Sequence, residues 1–144
     1  MTKTYHVNTR VRIVNRIMGL MIRWGIAPPH SHLLTVRGHK SGKFYTNPVT
    51  LVEEDGGRWL IAPYGEVSWV KNVRVASEVM LRRGRDVETV TPHEIPLDER
   101  APILKNYLAI ETITQPYFDA GPDSPLEAFA AEAERHPVFL LESK

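Results

Sequence analysis

A chain of 144 residues, 42% of them hydrophobic and 24% charged, has the size and composition of a single globular domain with a substantial core. The absence of cysteine excludes disulfides, thiolate metal sites and a cysteine nucleophile, and it suits a reducing compartment. No stretch reaches the roughly 18 uninterrupted apolar residues of a transmembrane helix, and arginines interrupt the first apolar segment. We therefore expect neither a membrane span nor a signal peptide, and a cytoplasmic location.

The net charge of +1 hides an uneven distribution of charged residues. Residues 1–52 contain no Asp or Glu, whereas their basic residues are Lys3, Arg10, Arg12, Arg16, Arg23, Arg37, Lys40 and Lys43. This composition predicts a positive surface that attracts an anion, whether nucleic acid, a phosphorylated cofactor or acidic lipid.

In chain order, the first predicted element is a basic amphipathic helix over about residues 8–25, ended by Gly25 and by Pro28-Pro29. Its apolar stripe at helical spacing consists of Val14, Ile17, Met18, Met21 and Ile22. We expect this stripe to be core or a lid over a pocket. The arginines and Trp24 would also suit peripheral contact with an anionic membrane surface.

Strands and short helices follow. The patterns predict a strand at 32–38, a hairpin at 44–65 that turns at 54–57, a helix at 68–76 and a second hairpin at 78–95 that turns near Gly84. Helices are predicted at 96–109 and at 123–136, the latter with Asp123 or Ser124 as N-cap and Pro125 in its first turn, before a last strand at 137–143. Hairpins with helices at the start, middle and end predict an α+β domain over residues 1–144, a small antiparallel barrel packed by helices.

Most familiar reaction motifs are missing from the sequence. The six histidines show no metal-ligand spacing, so we expect no metal. No Gly-x-Ser-x-Gly or Gly-x-Gly-x-x-Gly motif occurs, and "GHKSGK" is too short for a phosphate-binding P-loop. No aromatic and basic strand pattern of single-strand nucleic-acid binders is present, so we expect no nucleic acid.

Two local features remain. Lys40, Ser41, Gly42 and Lys43 follow a predicted strand and could form a concave anion site, although a basic surface turn is the commoner explanation. Trp69 and Asn72 share one face of a short helix, where the indole offers an apolar wall and the amide can bind a polar ring edge. Alternatively, Trp69 is core and Asn72 is a capping residue.

Together, in this order, the two features resemble the deazaflavin-dependent nitroreductase family, whose members bind coenzyme F420 on a split β-barrel related to the FMN-binding pyridoxamine-oxidase fold. The likeness covers roughly residues 33–108. Cofactor-binding residues implied by the resemblance are His39, Lys40, Ser41, Gly42, Lys43, Asn47, Pro48, Ala62, Tyr64, Gly65, Trp69 and Asn72. In the family, the lysine loop holds the phosphate and acidic tail, and the Trp-x-x-Asn helix lies beside the ring.

The sequence also departs from the family pattern. Tyr45 stands where many members carry Arg, and Pro63-Tyr64-Gly65 replaces the Ser-Lys-Gly of some members at a place that handles substrate. Ala76-Ser77 replaces an Asn-Pro. Cofactor binding is therefore the stronger implication, and the acceptor stays open.

The resemblance implies hydride transfer from the reduced deazaflavin to an electron-poor acceptor such as a quinone, an enone or a nitroaromatic. The candidate proton donors are Tyr64, Tyr107 and Tyr117, with Tyr64 favoured because it follows a strand that should end at the ring. Each could instead be a packing tyrosine. The rival functions are a non-catalytic carrier of lipid, fatty acid or cofactor on the same fold, and an FMN-dependent oxidase.

Overall fold

The computed structural model describes residues 9–25 and 30–143. Its longer elements are α1 (Thr9–Arg23), β1 (Ser31–Arg37), β2 (Phe44–Glu54), β3 (Gly57–Ile61), α2 (Ser68–Val75), β4 (Val79–Arg83), β5 (Asp86–Glu94), α3 (Arg100–Ile110), α4 (Leu126–Ala130) and β6 (Val138–Ser143). Short 3₁₀ helices occupy Leu97–Glu99, Thr112–Tyr117 and Ala133–Arg135. Pro28 and Pro29, predicted to end the first helix, lie outside the described residues.

The six strands form a closed antiparallel barrel in the order β1-β2-β3-β6-β5-β4. Period-2 alternation places one face of each strand inside. On β1, for example, Leu34 and Val36 point into the barrel core, whereas Leu33 packs outside against α1. Helix α2 contributes Val70 and Val73 to the same core. The predicted α+β barrel with packing helices is confirmed.

A second core lies outside the barrel, where α3 and α4 cover β3 and β6. Ile61 and Val138 point outward there and pack with Leu104, Leu108 and Phe129. This layer buries one side of the barrel. The β1 and β2 strands meet α1 and α2, and β2 also meets α3.

The last predicted helix, at 123–136, is mostly wrong. Only Leu126–Ala130 is α-helical, and the residue at its N-cap is Pro125, not Asp123 or Ser124. The Ser124 hydroxyl accepts the Gly121 N–H (2.8 Å) and so closes the preceding loop. The helix ends at Ala130, and the Glu132 side chain beyond it accepts backbone N–H groups of the segment before α4.

The prediction for α1 is partly wrong. Ile22 is fully buried and packs on Leu33, with Met18 and Met21 partly buried beside it. Val14 and Ile17, predicted for the same stripe, are 53% and 54% exposed. No helix among the described residues is long and apolar enough to cross a membrane.

Glu132 holds the chain around α4 together. Its carboxylate is 2% exposed and accepts the N–H groups of Asp119 (3.0 Å) and Ala120 (2.8 Å). The Nε2 of buried His136 lies 2.7 Å from the same carboxylate, and the His136 ring stacks on Phe118 with 4.0 Å between centroids. Burial lowers the pKa of His136, while Glu132 opposes that shift.

We predict that Glu132→Ala lowers the free energy of unfolding by about 3–5 kcal/mol, because two backbone N–H groups and a buried histidine lose their hydrogen-bond partner. Chemical denaturation measures the change. Glu134→Ala, two residues away on an exposed site, is the matched control and should stay within about 0.5 kcal/mol of wild type. Equal effects of the two substitutions would contradict this role of Glu132.

Candidate functional site

The lysine loop, residues 38–43 between β1 and β2, is closed by its own hydrogen bonds. The Gly38 N–H donates to the Lys43 carbonyl (2.6 Å), the Gly42 N–H to the Gly38 carbonyl (3.0 Å) and the Lys43 N–H to the Ser41 hydroxyl (3.2 Å). Gly42 has φ +75°, a conformation that L side chains rarely adopt. The loop is therefore a fixed turn.

Two neighbouring backbone donors stay available at the tip of this loop. Within residues 9–25 and 30–143, the N–H groups of Lys40 and Ser41 have no hydrogen-bond partner. Successive N–H groups in a turn, beside ammonium groups, are the donors of concave anion sites. The loop thus keeps two N–H donors for an anion, because the N–H groups of Gly38, Gly42 and Lys43 already donate within the loop.

Tyr45, the second residue of β2, contacts the lysine loop. Its hydroxyl lies 3.1 Å from the Ser41 hydroxyl. Its ring fills the space beside Gly38, where a Cβ would come within 2.6 Å of the ring. Any side chain at position 38 would therefore displace Tyr45.

Asn72 of α2 joins that helix to the lysine loop. Its side-chain oxygen accepts the His39 backbone N–H at 2.9 Å, and the His39 Nδ1 lies 2.5 Å from the same oxygen. An amide oxygen can only accept, so Nδ1 carries the proton. Asn72 is 5% exposed, whereas His39 is exposed, so these hydrogen bonds form a part-buried link across 33 residues of sequence. Trp69, on the same helix, is half-buried and packs against the barrel core.

The first of two clefts, here called the loop cleft, has a volume of about 440 Å³. Its lining residues are Arg37, Gly38, His39, Lys40, Ser41, Gly42, Val75 and Ala76. None of these is acidic, and the Arg37 guanidinium lies over the Phe44 ring at 5.3 Å from its centroid. The cleft is therefore a positive site suited to an anionic group.

The second cleft, here called the helix cleft, has a volume of about 320 Å³ and lies between α1 and the outer face of β1 and β2. Helix α1 supplies Asn15, Arg16, Gly19, Leu20 and Arg23, and the strands supply Leu33, Thr46, Asn47 and Pro48. The predicted residues Asn47 and Pro48 thus line this cleft and not the loop cleft. The same strand, β2, runs from the lysine loop into the helix cleft.

The three candidate proton donors form one aromatic cluster. Tyr64 and Tyr117 meet edge to face with 4.7 Å between ring centroids. Tyr107 is 3% exposed, and burial, followed by the nearby Tyr64 and Glu111, raises its pKa well above the usual range. None of the three lines either cleft.

The remaining predicted residues lie beside that cluster. Ala62 is fully buried at the end of β3, and Gly65 has φ +85° in the loop that leads to α2. Across the described ranges, no group of three or more His, Asp or Glu side chains could hold a metal ion. Sequence reasoning missed the contribution of Tyr45, Val75 and Ala76 to the lysine loop and its cleft, and no local pattern marks them.

Comparisons with known proteins identify the family and the fold of this chain. A sequence model of the F420H2-dependent quinone reductases matches residues 6–119. A solved F420-H2 dependent reductase, FDR-A, is 26% identical, with a TM-score of 0.56 over 79% of this chain and 95% of that one. No curated protein sequence is significantly similar to the chain.

Two further solved structures share the fold. One, described as a domain-swapped dimer, is 24% identical, with a TM-score of 0.56 over 91% of this chain and 92% of that one. The other, a Listeria innocua protein provisionally named a pyridoxamine 5'-phosphate oxidase, is 17% identical, with a TM-score of 0.51 over 80% of this chain and 84% of that one. The barrel is thus of the pyridoxamine-oxidase-like split type. With the family match spanning most of its length, the chain belongs to the F420H2-dependent quinone reductases and is a reductase that uses coenzyme F420.

Proposed function

We propose that this reductase acts on an electron-poor acceptor of the quinone type, with the anionic end of the cofactor in the loop cleft. The observation that carries the proposal is the pair of available N–H groups at Lys40 and Ser41, set between Arg37, Lys40 and Lys43. When bound, the reduced deazaflavin supplies the hydride, and the protein supplies position and electrostatics. Enone and nitroaromatic acceptors are the alternatives within this class.

The residues present fit the cofactor. F420 carries a phosphodiester and several glutamyl carboxylates, which need positive charge and N–H donors. The loop cleft offers both and has no acidic lining residue. Charge-assisted hydrogen bonds of this kind are about twice as strong as neutral ones.

The helix cleft is the proposed place of the ring and the acceptor. From Lys43 to Asn47 along β2 the backbone covers about 13 Å at the usual strand rise. A cofactor with its tail at one end and its ring at the other can bridge such a distance. Leu20, Leu33 and Pro48 give the cleft apolar walls, and the Asn47 amide can bind a polar ring edge.

Asn72 acts in this proposal through His39, as a positioning residue. Its oxygen is already committed to the loop, so the expected direct contact with the cofactor ring stays a prediction that rests on the remaining NH2 group. Holding His39 fixes the loop and so keeps the Lys40 and Ser41 donors aligned before the ligand arrives. Such preorganisation lowers the entropic cost of binding.

We predict that Lys40→Ala weakens F420 binding by about 1–3 kcal/mol and also flattens the dependence of the affinity on salt, because a charged contact is lost. Fluorescence titration at low and high salt measures both effects. Arg85→Ala removes an equally exposed charge at the β4–β5 turn, outside both clefts, and should leave binding nearly unchanged. Unchanged affinity of a folded Lys40→Ala protein would remove the loop from the site.

We predict a different signature for Asn72→Leu, which removes the acceptor of the His39 hydrogen bonds but no charge. F420 affinity should fall by about 1–3 kcal/mol, while its salt dependence should stay that of wild type. His39→Ala loses only the contact between the imidazole ring and Asn72. Its F420 affinity should therefore lie between those of wild type and Asn72→Leu. A salt dependence flattened as in Lys40→Ala would contradict the positioning role.

The proton donor to the reduced acceptor stays a prediction. Tyr64 and Tyr117 are half-buried, whereas Tyr107 is enclosed and stays protonated. If Tyr64 is the donor, Tyr64→Phe should slow turnover about 10–100-fold with little change in F420 affinity. Tyr117→Phe is the comparison variant in the same ring pair. If Tyr64→Phe turns over at the wild-type rate, Tyr64 is a packing residue and not the donor. The test is needed because Tyr64 lines neither cleft.

A further inference from the structure

Helix α1 carries a glycine in its middle that neither its backbone nor its packing requires. Gly19 lies inside the helix, where glycine is destabilising relative to alanine because it loses more conformational freedom on folding. Its φ is not in the left-handed region that favours glycine. An added Cβ would lie 3.7 Å from the Leu33 Cδ2, which is an ordinary van der Waals distance. The fold would therefore accept alanine at this position, and the glycine needs another explanation.

The helix cleft provides that explanation. Gly19 and Leu20 form the middle of its α1 wall, and Leu33 and Pro48 lie on the strand wall. A side chain at position 19 would extend toward Leu33, across the space between the two walls. Glycine thus keeps the middle of the cleft wide and apolar, which suits the close approach of a flat ring.

Two arginines lie on either side of Gly19 along the same wall. Arg16 precedes the glycine by three residues and Arg23 follows it by four, so all three share one face of α1. The two arginine positions are about 10 Å apart along the helix axis at the usual rise. Both side chains are exposed, and neither forms an ion pair with another residue in the described part of the chain. Their guanidinium groups are thus available to a ligand at both ends of the apolar middle.

A quinone undergoing reduction needs positive charge at its oxygens. Hydride transfer adds two electrons and one proton to the quinone, and the product keeps one negative oxygen until water supplies a second proton. A guanidinium that donates N–H groups to this oxygen stabilises the charge as it develops. A para-quinone has one oxygen at each end of its flat ring, which matches a wall with an arginine at each end. An enone has a single such oxygen and would use one of the two arginines.

We propose that Arg16, Gly19 and Arg23 form the acceptor subsite of the helix cleft and that they select a flat para-quinone. Gly19 admits the ring, and the arginines bind the oxygens at its two ends. The assignment rests on the proposed function, and it adds the residues that distinguish a quinone from the enone and nitroaromatic alternatives. It also explains why α1 keeps arginines beside a cleft whose lining contains no acidic residue.

Substitution of Gly19 separates this role from a structural one. Gly19→Ala should raise the midpoint of thermal unfolding by about 2–5 °C, because alanine is the better helix residue. It should nevertheless lower kcat/KM for naphthoquinone about tenfold, and Gly19→Val should lower it further. Gly121→Ala is the matched control and should keep wild-type kcat/KM, since a Cβ there also has room (3.8 Å to the Ser124 Oγ) and the residue lines neither cleft. Wild-type kcat/KM in both Gly19 variants would overturn the proposal.

The arginines are tested by their effect on the chemical step. Arg16→Met and Arg23→Met should each lower kcat for naphthoquinone about tenfold with a smaller change in KM, because the charge on the oxygen develops only as hydride is transferred. Arg16→Lys keeps a positive charge and should recover most of the rate. Arg12→Met removes an exposed arginine of the same helix that lines neither cleft, and it should behave as wild type. Equal losses in Arg12→Met and Arg16→Met would contradict the assignment.

A binding measurement without F420 tests the subsite independently of turnover. Hydroxynaphthoquinone is ionised near neutral pH and so resembles the negative product in shape and charge. In calorimetry, it should bind the cofactor-free wild-type protein at least tenfold more tightly than naphthoquinone does. Gly19→Val and Arg16→Met should each weaken its binding at least tenfold. No binding to wild type, or equally tight binding to the two variants, would overturn the subsite.

The two measurements distinguish failure of the subsite from failure of the proposed function. Binding of the anion that depends on Gly19 and Arg16, in a protein that shows no F420-dependent turnover, would refute the proposed function and leave the subsite standing. Quinone turnover at the wild-type rate in all the Gly19 and arginine variants would refute the subsite and leave the proposed function standing.

Discussion

The link between Asn72 and His39 is the contact on which the candidate site depends. A turn such as residues 38–43 can close its own hydrogen bonds, but these bonds do not fix its position relative to the rest of the protein. A buried amide oxygen on α2 does so, because an unpaired acceptor in that place would cost about 1–3 kcal/mol. Barrel core, α2 and lysine loop thereby become one rigid unit, with Trp69 packed against the core three residues before Asn72.

The distribution of charge along the chain explains why the lining of both clefts is basic and contains no acidic residue. Residues 1–52 contain no acidic side chain and supply most of the lining of both clefts. Acidic residues from the rest of the chain form ion pairs away from the clefts. Glu94, for example, pairs with Arg74 (2.9 Å) and with Arg100 (3.0 Å). Nearby cations lower the pKa of Glu94. The basic residues Arg16, Arg23, Arg37 and Lys40 thus line the clefts without an acidic residue in either lining.

Several features of the fold could be predicted from the sequence because they are local. Alternation along β2 and β3 and the turn at residues 54–57 specify the first hairpin, and the lysine loop lies where its glycines require a turn. The order of the strands in the closed barrel and the partner of Asn72 could not be predicted, since each depends on residues far apart in the chain. The candidate site residues were inferred from the family pattern, and the two clefts became visible only in three dimensions.

Helix α1 and Glu132 show why the other expectations were wrong. An apolar residue such as Ile17 fits a helical stripe whether that stripe faces the core or the outside, so periodicity cannot say which of two apolar faces is buried. Glu132 and His136 lie four residues apart in the segment 123–136 that was predicted to be one helix. In the structure both are buried, because two backbone N–H groups from residues 119 and 120 need an acceptor there.

The central claim is that the available donors at Lys40 and Ser41 receive the anionic end of the cofactor. Amide NMR of the labelled protein during an F420 titration tests it most directly. The account predicts that the Lys40 and Ser41 amide resonances move downfield and that their hydrogen exchange slows, with smaller changes at Asn47 across the barrel face. Saturating F420 that leaves these two amides unchanged and shifts resonances of the tyrosine cluster instead would contradict it.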